Sequence, residues 1–257
     1  MTVCVVVFTR HIPHLSALSI LLGDEPVLSD SMRYYQRLLC RDEEEAAAIL
    51  ASTPAGTDPA DVLDQIVVPG LSAARADLRR GLITGAQAAR IGTAARELAL
   101  EWLADRDPAT PIPGQATPSV VCLPAHDGLD EAAGALLAEL LRRDGVGATV
   151  ISAVLLFSEK ITATETPGIN LIVVSSVGPS GDLHTRRICK TLQRKSPGLP
   201  VIVVAWAGGA PDPAAPVEPA TAHTQASTNR QAVTLVKSLL AVRPAPELPL
   251  APAPSGA

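Results

Sequence analysis

At 257 residues the chain is long enough for two small domains, and a hydrophobic fraction of 47% supplies cores for both. A net charge of −5 with a pI near 5.5 gives no overall attraction to nucleic acid or anionic lipid. Cys4, Cys40, Cys122 and Cys189 form no CxxC pair, which excludes a thiolate metal site and implies small buried hydrophobes in a reducing compartment.

The first apolar run, Val3 to Phe8, is far short of the roughly 18 residues a membrane-spanning helix needs and lacks the basic leader of a signal peptide. An opening inside such a run suggests a remnant cut from a longer parent. With its connector it occupies residues 1–28, ahead of a helical bundle over residues 29–105. Ser29 or Ser31 offers an N-cap for the helix carrying MRYYQRLLC, where Tyr34 and Tyr35 serve interhelical packing. Asp42 caps the next helix, and its acidic first turn suits a helix N-terminus. Asp58-Pro59 opens a third, with apolar residues at Val62, Leu63, Ile66, Val67, Leu71 and Ala74; Pro69 should kink it near Gln65 and Ile66, and Gly81 ends it. Thr84 and Gln87 form a capping box for a fourth helix through Ile91, Ala95, Leu98 and Trp102.

Residues 106–118 hold four prolines and read as an extended linker. Over residues 119–242 strand and helix alternate. Strands are predicted at Val120 to Leu123, Ala148 to Ser152, Leu171 to Ser175 and Val201 to Trp206. Helices are predicted at Leu129 to Arg143, Ser158 to Thr166 and Leu183 to Lys195, the last burying Leu183, Ile188 and Leu192 with Cys189 facing the core. Continuous Val/Ile/Leu runs mark strands buried on both faces, and right-handed crossovers make them parallel, so the fold class is α/β with a flavodoxin-like doubly wound sheet after a helical bundle. The Pro/Ala-rich stretch 208–227 reads as a flexible excursion, residues 231–242 as a short edge strand and a helix, and residues 243–257 as a disordered tail.

Ligands of such sheets bind outside the carboxyl ends of the strands. There the chain places His126, Asp127, Ser175, Ser176, Gly208 and Gly209, the candidate cofactor-binding residues; no catalytic or metal set stands out. Asp127 and Asp130 put negative charge at a helix start and disfavour a phosphate, and both are read as capping residues with Glu131. No phosphate-binding glycine loop or nucleophile elbow accompanies Ser175, Ser176, Asp182 and His184, so the chain is read as non-enzymatic. The basic residues Arg186, Arg187, Lys190, Arg194 and Lys195 crowd one helix and read as a solvated face.

A helical bundle followed by a flavodoxin-like unit with a histidine after its first strand resembles the cobalamin-binding module of methionine synthase and its relatives. That family carries an Asp-x-His-x-x-Gly loop, then Ser-x-Leu and Gly-Gly; Ser175-Ser176-Val177 and Gly208-Gly209 echo the last two. Around His126 the family's aspartate and glycine positions hold Pro124 and Leu129, which leaves the imidazole without the partner that fixes its tautomer. A second resemblance rests on GDEPVL, YQRLLCRDEEEA, DVLDQIVVPGL, PAHDG from Pro124, and HTRRICKTLQRKSPGLPVIVVAW from His184 to Trp206. These are similar to the soluble C-terminal extension of autoinducer-two exporter (permease-type) family transporters. It implies a cytoplasmic regulatory or interaction module at the inner face of a membrane. Such a module would have no cofactor, would touch the membrane through Val3 to Phe8, and would pair with a membrane transporter or another copy of itself. The first resemblance implies the alternative, a sensor for cobalamin or another small ligand.

Overall fold

The computed structural model describes residues 28–106, 119–178, 183–206 and 224–242. The apolar run Val3 to Phe8, Cys4, Gly208-Gly209, most of the linker and the tail expected at 243–257 lie outside them. Helix α1 (Asp30–Cys40) starts at Ser29, whose hydroxyl accepts from the Met32 N–H, and α2 (Glu43–Ala51) at Asp42, which accepts from the Glu45 N–H. Both caps satisfy amide groups that the first helical turn leaves without partners. Tyr34 is buried and its hydroxyl donates to the Ala95 carbonyl, while Tyr35 donates to Asp77 Oδ2 at 2.8 Å.

The helix in which a kink was expected near Gln65 and Ile66 holds a π-helical stretch there. Helix α3 (Pro59–Val62) runs through a π-helical stretch (Leu63–Val67) into α4 (Val68–Arg80), with the Val68 N–H bonded to the carbonyl of Leu63, five residues back. Pro69 has no N–H to offer Gln65, and the helix widens by one residue just before it. Gly81 closes α4 at φ 72°, a left-handed conformation that glycine adopts without penalty. Thr84 and Gln87 make the reciprocal capping box that opens α5 (Gly85–Arg106).

Five parallel strands follow: β1 (Val120–Pro124), β2 (Ala148–Val150), β3 (Leu171–Val177), β4 (Val201–Trp206) and β5 (Thr224–Ala226), in the order β2-β1-β3-β4-β5. They alternate with α6 (Gly128–Arg143), α7 (Phe157–Ala163), α8 (Leu183–Lys195) and α9 (Asn229–Val242). The doubly wound architecture is as the sequence predicts. The last strand is not: β5 lies at 224–226, within the stretch read as a flexible excursion, and residues 231–242 are helical throughout.

Alternation along the strands divides the core. Val121, Leu123, Ile172, Val174, Val203 and Ala205 face α7 and α8, packing on Ile161, Ile188, Cys189 and Leu192. Val120, Cys122, Leu171, Val173, Ile202, Val204 and Trp206 face α6 and α9, and this layer is continuous with the apolar residues of α1 to α5. The helical half and the sheet therefore share one core. The contact is close: a Cβ added to Gly92 on α5 would lie 2.8 Å from the Gly128 carbonyl, and one on Gly134 of α6 would lie 2.8 Å from Ser175 Oγ on β3. Leu183, expected inward, is 83% exposed because it precedes the first buried position of α8, Thr185. Cys122 and Cys189 are buried as expected, whereas Cys40 is exposed.

Candidate functional site

Strand order reverses between β1 and β3, and the crevice beyond their carboxyl ends is where a doubly wound sheet gathers ligand-facing loops. β1 delivers Ala125, His126 and Asp127, and α6 starts at Gly128. The Ala125 N–H bonds to the Ser175 carbonyl, continuing the ladder and fixing His126 over the end of β3.

Asp130 is the hub. Its carboxylate is fully buried and takes four hydrogen bonds. Oδ2 accepts from the His126 backbone N–H at 2.8 Å and lies 2.9 Å from His126 Nδ1; Oδ1 accepts from the Val177 N–H at 2.7 Å and from Arg75 Nη2 at 2.8 Å. A carboxylate only accepts, so His126 Nδ1 carries the proton that it donates to Asp130. The expectation that His126 lacks a supporting carboxylate is corrected: the partner lies four residues after the histidine, one helical turn into α6, instead of two residues before it.

Arg75 reaches this point from α4. It also pairs with both oxygens of Asp127, and its Nε donates to the Val177 carbonyl at 3.1 Å. Burial disfavours the guanidinium charge, but the hydrogen bond to Asp127 and the charges of Asp130 and Asp127 outweigh it and raise its pKa. Asp127 does cap α6, accepting from the Leu129 N–H, yet neither it nor Asp130 is only a cap. Glu131 accepts from the Ala153 N–H at 2.7 Å and lies 3.4 Å from Arg96 of α5. Lys160 of α7 is buried nearby. Desolvation lowers its pKa, opposed by the charges of Asp130, Glu131 and Asp127.

The remaining sequence candidates divide. Ser175 is fully buried and its hydroxyl lies 2.9 Å from the Asp130 carbonyl and 3.3 Å from that of Leu123, so it pins β3 to β1 and α6. Ser176 is buried beside it in β3. The ring of His184 lies 5.1 Å from that of His126, at an interplanar angle of 37°. Gly208 and Gly209 lie outside the described residues. Among the described residues no group of three His, Cys, Asp or Glu side chains is placed to hold a metal ion.

Two site residues escape the sequence reading. Arg75 shares the inward face of its helix with Leu71 and Ser72, four and three residues earlier; a charge on an apolar helix face was the signal that a counterion had to be found. Trp206, at the end of β4, is buried and finds no hydrogen-bond partner for its Nε1–H among the described residues, while its carbonyl accepts from Ser72 Oγ at 3.2 Å. A buried donor left open at the ligand-facing edge of a sheet calls for an acceptor.

No protein-family model matches the sequence, and no curated protein matches it. Among solved structures the chain is similar to the monomethylamine corrinoid protein of Methanosarcina barkeri, at 13% identity and a TM-score of 0.53, over 82% of this chain and 98% of that one. It also matches the methanol:cobalamin methyltransferase complex MtaBC of the same organism, at 13% identity and a TM-score of 0.41, over 92% of each chain. A third match is a cobalamin-binding protein from Desulfitobacterium hafniense, at 12% identity and a TM-score of 0.34, over 80% of this chain and 97% of that one. The similarity to an exporter tail is thereby corrected: the fold is that of a corrinoid protein. The shared property is the fold, a helical half on a five-stranded parallel α/β sheet of the kind found in a corrinoid protein.

Proposed function

We propose that the chain is a non-enzymatic corrinoid-binding module, a sensor or carrier, with His126 as the axial nitrogen donor. The observation that carries this reading is the His126–Asp130 pair at the strand-order switch, which holds a proton on Nδ1 and fixes the ring's orientation, so that Nε2 would be the nitrogen to bind a metal. The open Trp206 Nε1–H at the neighbouring strand end is a second feature in its favour. A corrinoid would supply a cobalt centre, which His126 would hold through a ring nitrogen. The donor chemistry fits that group.

Access is conditional in this reading. Arg75 spans from the helical half to Asp127, Asp130 and the Val177 carbonyl, so this latch must open to admit a large planar ligand beside His126, whose side chain is 34% exposed. The same closure favours a second reading, an interaction module in which the crevice stays sealed. Titration with hydroxocobalamin separates them. Binding through His126 changes the cobalamin spectrum, the change is lost in His126→Ala, and Arg75→Met, which removes the latch and leaves the donor, binds more tightly. An unchanged spectrum with both the parent chain and Arg75→Met overturns the corrinoid reading and leaves the sealed module.

A further inference from the structure

Beside the crevice, at the same carboxyl end of the sheet, the starts of α7 and α8 carry an exposed surface of their own. The loop after β2 exposes four consecutive apolar residues: Val154 is 90% exposed, Leu155 40%, Leu156 68% and Phe157 40%. Leu183, at the start of α8, adds a fifth at 83%. Soluble surfaces scatter such residues singly, and a contiguous run at a loop tip marks a contact site.

Beside this tip α8 is basic. It contains Arg186, Arg187, Lys190, Arg194 and Lys195 and no acidic residue, although the chain as a whole carries a net charge of −5. Thr185, Ile188, Cys189 and Leu192 face the core, so Arg187, Lys190 and Arg194 stand exposed, while Lys195 pairs with Glu165 at 3.8 Å. Arg186, Lys190 and Arg194 recur every four residues and form a stripe along the axis, with Arg187 beside it. A shallow groove of about 560 Å³ runs between Phe157 and Leu183 at one end and these cations along its side.

We infer that this surface docks on an anionic phospholipid bilayer, with Val154, Leu156 and Leu183 entering the interfacial layer and Arg187, Lys190 and Arg194 meeting headgroup phosphates. Two features select lipid over an acidic protein segment. The apolar side chains protrude from a loop tip and a helix start, which suits insertion into a fluid layer; a peptide would require anchors of its own and pockets to receive them. The cations are concentrated on one helix of an otherwise acidic protein, so attraction to an anionic surface at this end and repulsion elsewhere impose a single orientation. Neither signal suffices alone, and stable peripheral binding draws on apolar insertion and basic charge together. This contact is separate from the Val3 to Phe8 run and does not rest on the corrinoid reading.

The test is co-sedimentation of the full chain with vesicles of phosphatidylcholine, with and without about a third phosphatidylserine, at low and high salt. Binding to the anionic vesicles alone, weakened by salt, is the expected result. Arg187→Glu, Lys190→Glu and Arg194→Glu should each weaken it about fivefold or more. Val154→Asp with Leu156→Asp should abolish it without changing the circular dichroism, since both positions are exposed. Failure to bind anionic vesicles overturns the inference. So does binding that survives both sets of substitutions, which places the contact elsewhere, or capture of an acidic peptide by a chain that ignores vesicles.

Discussion

Arg75 and Asp130 come from different halves of the molecule, 55 residues apart, and meet at 2.8 Å with the arginine side chain 12% exposed and the aspartate fully buried. Removing one partner of such a pair leaves the other charge uncompensated in a low-dielectric site, and this cost exceeds the net worth of the pair. Arg75→Met should destabilise the chain by about 3 kcal/mol in urea unfolding, the low end for a buried pair because His126 and Val177 still donate to Asp130. Asp127→Asn, at a half-exposed carboxylate, should cost about 1 kcal/mol or less. Equal effects would contradict the assignment of Asp130 as the hub.

Close packing at two glycines gives an ordering. At Gly92 the obstacle to a Cβ is the backbone carbonyl of Gly128, which cannot rotate away, whereas at Gly134 it is the Ser175 hydroxyl. Gly92→Ala should therefore cost more than Gly134→Ala, both within about 1–3 kcal/mol. Adding Ser175→Ala to Gly134→Ala removes the obstructing oxygen, so the double variant should be more stable than the sum of the single changes indicates, by denaturant midpoint.

The alkaline limit of the fold follows from buried acids. Burial pushes the Cys122 thiol up to about 12 and that of Cys189 to about 11, from 9.0 in the unfolded chain, and raises the phenols of Tyr34 and Tyr35. The unfolded chain then releases these protons first. The stability linked to the thiols is complete below about pH 9 and is lost as pH rises through the folded values. Thermal melts should shift steadily downward above about pH 9, and Cys122→Ala should flatten part of that slope. At neutral pH a thiol reagent should label Cys40 before Cys122 or Cys189, as read by peptide mass mapping.

Asp64 ties the helical half to α9. It accepts from the Asn229 N–H and side-chain amide, both at 2.8 Å, at the head of α9, and burial raises its pKa against those bonds. Asp64→Ala leaves both donors without an acceptor and should cost about 1–3 kcal/mol, with faster amide exchange confined to the first turn of α9. Uniform exchange over α9 would show that the clasp does not act locally.

Local signals carried most of the fold. Ser29, Asp42, Asp58, Gly81 and the Thr84–Gln87 pair act at short range, and their chemistry reads directly from neighbouring letters. The buried strands announced themselves as unbroken Val/Ile/Leu runs. The site was only half legible. His126 and Asp127 fall at a strand end that the pattern predicts, but the His126–Asp130 bond depends on where α6 begins its first turn, and spacing from a familiar motif placed the carboxylate on the wrong side of the histidine. Arg75 was hidden because its partners are more than 50 residues away and only the shared core of the two halves brings them together. β5 was missed because three residues with two exposed positions present no apolar pattern.

The widened turn at Leu63–Val67 sets an angular phase between two functions of one helix. Asp64, in the first residues of that turn, faces α9; beyond it Arg75 faces the crevice between β1 and β3. An α-helix advances about 100° per residue, so winding these residues as regular α-helix would rotate one partner away from its target by about that amount. Only one of the two clasps would then survive. The extra residue in that turn lets a single rigid rod hold the last helix and the crevice closed together, which makes the helical half a crossbar for the α/β unit.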